Sequence, residues 1–391
     1  MYVKCQWYII AMDFNSYYNH LCKEWNYTPT ELVSTGYEDV MPDLMACSKQ
    51  AWNAADDSGK QSIEQQVFDI YRSKDILPIF YYSLEGCKEE IRNVSRQHTE
   101  VKNNRISVGA TGGQAFCRFW FPNMQDAYTL GAKHVSLDSR FHNDTKLKRA
   151  INLCYKYRDE GDKSVVPQNL RRALELVNGS TIQNFKPLNA KAIWEYICPT
   201  MWGSVLDFSS GYGGRMIGAM TSNMRYHYTG IDPNTKTHTG LAALGNLISD
   251  VVGTDFEMNH TVSESFVPNQ KYDAAFSSPP YFNLETYCDE PTQCMNSCSN
   301  LDAWFELYVE PTLKMLHTAL NKDAIYAVNI ADYRVNKDQF HIVERWVDLS
   351  KKCGFEYKET VQMMLNTRPG VGNGKMDKVE KFEGVYIFKR T

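Results

Sequence analysis

Val205-Leu-Asp-Phe-Ser-Ser-Gly-Tyr-Gly-Gly-Arg215 reads as a buried strand, an acid at its end, and a glycine turn that opens a helix near Gly214. The strand, Val205–Ser209, is a short apolar run of the kind that is covered on both faces in a parallel sheet. Gly211 and Gly213 supply backbone that takes positive φ and lets a ligand approach closely, with Ser209 beside them in the same turn. The helix amino-terminus that follows offers free N–H groups and a partial positive charge. Asp207 is suited to accept from a ligand's ammonium group, which favours a zwitterionic amino-acid ligand over a pyrophosphate.

Downstream the same grammar repeats. Strands are expected at Tyr228–Asp232, Phe256–Val262, Tyr272–Ser277 and Ala324–Ile330. Helices are expected through Leu241–Ile248, over Leu301–Leu320 and over Phe340–Lys352, with Glu356–Met364 and Lys378–Lys389 as a closing antiparallel pair. Alternation of this kind predicts an α/β fold: a Rossmann-like, mostly parallel sheet with an antiparallel C-terminal strand. Ligands of such sheets sit outside the carboxyl ends of the strands. Asp232, ending the second strand, is then suited to ribose hydroxyls, so the two turns together predict a nucleoside-containing cofactor.

Upstream of about residue 180 the apolar spacing is mainly helical. We expect a mainly helical domain over 1–178 and a catalytic domain over 179–391. Arg105–Phe121 is expected to be strand and glycine turn, its aromatic cluster around Arg118 packed inside or presented to a groove. Hydrophobic residues make up 43% of the 391 and charged residues 23%, enough for a core and a solvated surface. The net charge of −4 excludes polyanion binding by bulk electrostatics, so any nucleic-acid surface must be a local positive face. Residues 140–172, with nine Lys/Arg against four Asp/Glu, are the candidate face, or a solvated helix. Eleven cysteines without paired CxxC spacing predict a reduced, cytoplasmic protein with no metal site; zinc at Cys288, Cys294 and Cys298 is the weaker alternative. The apolar patch near Met1, about six residues, is too short for a membrane span.

Tyr272-Asp-Ala-Ala-Phe-Ser-Ser-Pro-Pro-Tyr-Phe282 ends a strand in two prolines, which cannot donate to a ladder and so turn the chain rigidly. A first-strand Asp with a glycine turn, a second-strand acid and a Ser-Pro-Pro-Tyr turn resemble S-adenosylmethionine-dependent DNA amino-methyltransferases. Those enzymes methylate adenine N6 or cytosine N4. The longer Ser278-Pro-Pro-Tyr-Phe-Asn-Leu-Glu-Thr-Tyr287 is similar to solitary, phage-type members, and Asn184-Phe-Lys-Pro-Leu-Asn-Ala-Lys191 to their Phe-x-Pro segment. The resemblance covers roughly residues 183–391, and its phage-type form implies an enzyme acting inside a phage-infected host.

The resemblance implies S-adenosylmethionine as cofactor, DNA as partner, and Ser278, Pro279, Pro280 and Tyr281 as catalytic residues. Lys186, Asp207, Ser209, Gly211, Gly213, Asp232 and Glu264 are the implied cofactor-binding set; for Lys186 and Glu264, surface and loop positions are the alternatives. Ser278 Oγ and the Pro279 carbonyl would accept the two hydrogens of an exocyclic amine, and Tyr281 would stack on a base flipped from the duplex. Asn329 and Asp332 either shape this pocket or cap helices. Phe282–Asn300 is expected to fold over the base, Asn366–Lys375 to touch the backbone, and residues 1–178 to hold target recognition. Alternatives are a methyltransferase of the same fold acting on RNA or a protein side-chain amide, and a non-catalytic DNA-binding protein.

Overall fold

The computed structural model describes residues 13–28, 42–106, 111–129, 135–157, 165–177, 182–335, 337–365 and 381–391. The glycine-rich Asn366–Lys375 segment, the Met1 patch and the expected domain boundary lie outside the described residues.

The strands are β1 (Val101–Lys102), β2 (Arg105–Ile106), β3 (Tyr128–Thr129), β4 (Ser204–Asp207), β5 (His227–Ile231), β6 (Phe256–Asn259), β7 (Tyr272–Ser277), β8 (Glu285–Thr286), β9 (Leu320–Asn329), β10 (Tyr333–Val335), β11 (Asp338–Phe340), β12 (Phe355–Leu365) and β13 (Lys381–Arg390). Nine of them form one sheet in the order β1-β2-β12-β13-β9-β7-β4-β5-β6. From β6 to β9 the pairing is parallel; β13 is antiparallel to both β9 and β12. This is the expected Rossmann-like sheet. Its order reverses at β4, which has β5 on one side and β7 on the other, so a crevice opens at their carboxyl ends.

Local chemistry sets these elements. Val205 and Leu206 in β4 are fully buried, as a central strand covered on both faces requires. The helix Thr235–Val252 starts where the Asn234 side chain accepts from Thr237 N and stops at Gly253, which adopts φ 71°.

Three expectations change. Gln114–Trp120 is a helix rather than strand and turn: Gly113 adopts φ 80° at its start, and Phe116, Phe119 and Trp120, at helical spacing, are fully buried. The helix from Leu301 to Ala319 carries a π turn at Phe305–Val309, just before Pro311, which has no N–H to continue the α ladder. The last helix begins at Val343, because Phe340 belongs to the β10–β11 hairpin and Asp332 Oδ1 caps the Ile342 and Val343 amides at 2.8 and 3.0 Å.

The upstream helices share one core with the sheet. Trp120 Nε1 donates to Gly240 O at 2.9 Å, and Tyr17 OH to Trp120 O at 2.9 Å. The buried Lys191 ammonium donates to the carbonyls of Val94, Ser95 and Gln97. Among the described residues, no helix is long and apolar enough to cross a membrane.

Candidate active site

A cleft of about 1850 Å³ lies at the switch point, between the strand ends and the upstream helices. Lys186, Ser209, Gly211, Asp232, Glu264, Ser278, Pro279, Pro280 and Tyr281 all line it. Asp207 and Gly213 do not.

Asp207 is fully buried, and its carboxylate is occupied from within. Oδ2 accepts from Arg215 Nε and Tyr228 OH, both at 3.0 Å; Oδ1 accepts from Ser277 Oγ at 2.9 Å and Ser209 N at 3.3 Å. The expected ammonium-accepting role is therefore taken by Arg215, which folds back across the glycine turn and also donates to the Ser209 carbonyl. Asp207, at the end of β4, ties that strand to Tyr228 of β5 and Ser277 of β7 beneath the cleft.

The glycines divide the work. Gly213, φ 74°, faces away from the cleft: a Cβ there would lie 2.6 Å from Leu244 and 3.0 Å from Phe121. Gly214 passes so near the Phe185 carbonyl that a Cβ would sit 2.0 Å from its oxygen. Gly211, φ 56°, has open space around its Cβ position and lines the cleft. Its amide donates to Asp232 Oδ2 at 2.8 Å.

Asp232 Oδ1 accepts from Asn234 N at 3.0 Å, and burial raises this carboxyl to about 7. Glu264, in the short turn Ser263–Ser265, has a buried Oε2 without a hydrogen-bond partner among the described residues, and burial pushes its carboxyl up. Burial likewise lowers the Lys186 ammonium. Tyr308, delivered by the π turn, reaches Ser209 Oγ at 3.1 Å.

The Ser278–Tyr281 turn leaves β7 directly after Ser277, whose bond to Asp207 fixes its root. Ser278 Oγ contacts Asn329 Oδ1 at 3.4 Å, and Asn329 Nδ2 donates to Gly384 O at 3.0 Å. Asn329 therefore shapes the pocket, whereas Asp332 serves as a helix cap. The Tyr281 ring stacks on Tyr333 with centroids 5.5 Å apart, and Tyr333 stacks on Phe340 at 4.9 Å. Its hydroxyl donates to Glu383 Oε1 at 2.9 Å. Burial pushes the carboxyls of Glu383 and Glu285 up, and the charge of Glu383 adds to the effect on Glu285.

The segment after this turn is held at several points. Glu285–Thr286 pairs with Tyr128–Thr129 of the helical part, Glu290 accepts from Thr235 N at 3.1 Å, and Cys294 and Cys298 are buried in apolar surroundings. Sequence reasoning missed Arg215, Tyr308 and Glu383. Arg215 alone carries a signal, as a cation just past a glycine turn that follows a buried acid.

No family model matches the chain, and no curated protein matches it. Among solved structures, it is similar to a methyltransferase from Pyrococcus furiosus, 12% identical over 53% of this chain and 83% of the other, with a TM-score of 0.34. It is similar also to the 1,6-didemethyltoxoflavin-N1-methyltransferase of Burkholderia thailandensis, at 13% identity over 52% and 78% with a TM-score of 0.36. A third is an S-adenosylmethionine-dependent methyltransferase from Clostridium acetobutylicum, at 11% over 53% and 92% with a TM-score of 0.35. Likeness at this level adds nothing to the chemistry of the site.

Proposed function

We propose that the protein transfers a methyl group from S-adenosylmethionine to an exocyclic amine of a base in DNA, cytosine N4 or adenine N6. The observation that carries this reading is the meeting of three strand-end turns in one cleft: Ser209–Gly211 after β4, Asp232 after β5 and Ser278–Tyr281 after β7.

The donor set fits the cofactor. Asp232 has one backbone donor on each oxygen, which leaves acceptor capacity for ribose hydroxyls. The unpartnered Glu264 Oε2 suits an adenine amino group. When bound, S-adenosylmethionine supplies a methyl group on a sulfonium, open to direct in-line displacement.

The chain's own residues position the other reactant. An exocyclic amine is a poor nucleophile because its lone pair is delocalised into the ring. Ser278 Oγ and the Pro279 carbonyl accept its two hydrogens and favour a pyramidal nitrogen. Tyr281, backed by Tyr333, stacks on the base, a contact worth ~1–3 kcal/mol. Positioning then supplies most of the rate. Serine is a weak acceptor, so the proton leaves after the methyl group has arrived. Residues 1–178 act as the recognition or clamping part.

Incubation with methyl-labelled cofactor and mixed DNA and RNA, followed by nucleoside mass spectrometry, tests this. Label is expected in N4-methylcytosine or N6-methyladenine from DNA. Label in RNA or protein alone overturns the substrate, and failure to bind S-adenosylmethionine in calorimetry overturns enzymatic methyl transfer altogether.

A further inference from the structure

The cleft is polarised. Its acids Asp232, Glu264, Glu285 and Glu383 stand on the sheet side, where the one arginine, Arg215, is paired with Asp207, and its other arginines, Arg118, Arg149, Arg171 and Arg172, on the wall built by the upstream helices. Glu175 is the one acid lining that wall, and it is spent on Arg171 at 2.5 Å. The guanidinium groups of Arg118, Arg149 and Arg172 have no hydrogen-bond or ion-pair partner among the described residues.

Arg118 is the most telling of these. It sits in the helix Gln114–Trp120 between fully buried aromatic residues, so its backbone is fixed and its side chain has one way out, into the cleft. Burial, with the charge of Arg171 beside it, lowers its guanidinium to about 10. It still carries its charge at neutral pH, offset only by the nearby Glu175 carboxylate, which Arg171 already engages. A half-buried cation without a hydrogen-bond partner among the described residues is costly, and the cleft that Arg118 lines leaves room for an anion to set against it.

We propose that Arg118, with Arg149, Arg171 and Arg172, forms a subsite for the phosphate group of the target nucleotide, across the cleft from the cofactor. This rests on the reading that the substrate is a nucleotide. The polarity suits both reactants: a sulfonium on the acidic side and a phosphate on the arginine side. Arginine forks match phosphate oxygens in pairs. The subsite also accounts for a nucleic-acid surface on a chain of net charge −4, since the positive potential is gathered in one wall.

The test compares three probes by calorimetry on the full chain: deoxycytidine, deoxycytidine 5′-monophosphate and a short single-stranded oligonucleotide. The phosphate-bearing probes should bind tighter than the nucleoside by roughly ten- to a hundredfold, the range of one or two charge-assisted bonds. That advantage should shrink by about tenfold in Arg172→Ala and in Arg118→Gln, and the salt slope for the oligonucleotide should fall by about one per arginine removed. Arg149→Ala and Arg172→Ala change exposed side chains, so they decide the matter even if Arg118→Gln fails to fold. Phosphate-bearing probes that bind no better than the nucleoside, or equally well to parent and variants, overturn the subsite. The function is read separately: arginine-dependent phosphate binding without label transfer keeps the subsite and removes the methylation reading.

Discussion

The Tyr281 hydroxyl donates to Glu383 Oε1 at 2.9 Å, joining the turn after β7 to a strand 102 residues later in the chain. The ring is thus held at its face by Tyr333 and at its tip by the half-buried Glu383 carboxyl, and it presents one fixed plane to the cleft. Tyr281→Phe keeps the stack and loses the bond, whereas Tyr281→Ala loses both. In single-turnover methyl transfer the Ala variant should fall by roughly ten- to a hundredfold, in line with ~1–3 kcal/mol of stacking, and the Phe variant by much less. Cofactor affinity, measured by calorimetry, should be unchanged in both; its loss would contradict the assignment of Tyr281 to the base.

Arg215 and Asp207 form a buried ion pair at 3.0 Å beneath the Ser209–Gly211 turn. Arg215→Ala strands the Asp207 charge and should cost ~3–5 kcal/mol in urea unfolding. The double change to Arg215→Met with Asp207→Leu should recover part of that stability, yet not cofactor binding, because Ser209 and Ser277 lose their anchor. A single variant as stable as the parent would show that the pair does not organise the turn.

Gly211 and Gly214 should separate binding from folding. At Gly214 the added Cβ meets backbone, so Gly214→Ala should destabilise by ~3 kcal/mol or more. At Gly211 there is space, and the cost is the left-handed conformation alone, ~1–2 kcal/mol. Gly211→Ala should therefore fold and bind cofactor weakly. Equal melting temperatures for the two variants would contradict this division.

Asp232 titrates at about 7 in the folded protein against an ordinary 3.8, raised by burial. The folded chain thus holds an extra proton between those values, and this group's contribution to stability falls as pH rises through that window, by up to ~1.4 kcal/mol per pH unit. Relative to Asp232→Asn, the parent's melting temperature should decline from pH 4 to pH 7. Parallel profiles would exclude the shift. Ribose hydroxyls favour the ionised acid, so cofactor binding below pH 7 should release a proton, which calorimetry in buffers of different ionisation enthalpy detects.

The alternating half of the fold was legible because each signal is local. Central strands such as Val205–Asp207 are apolar runs, and Asn234 and Gly253 bracket a helix in the sequence as they do in space. Gln114–Trp120 reads ambiguously because a glycine pair and a run of aromatic residues also fit a strand; the spacing of Phe116, Phe119 and Trp120 decides for a helix only when a single face is buried. The direction in which Asp207 faces is not legible: nothing in a strand-end acid says whether a cation eight residues on folds back to it. Glu383 and the arginine wall were beyond reach, since they depend on which distant strand and helices close over the cleft.

The shared core has a practical meaning for retargeting. Trp120 reaches the Gly240 carbonyl and Lys191 reaches three carbonyls at the end of the helix Leu84–Arg96, so the upstream part is welded to the sheet by interior bonds. Grafting a foreign recognition module in place of residues 1–178 would uncover a lysine, a tryptophan socket and the flank of the helix Thr235–Val252 at once. If the proposed function holds, specificity has to be rewritten side chain by side chain along the cleft wall, because the wall and the scaffold share one core.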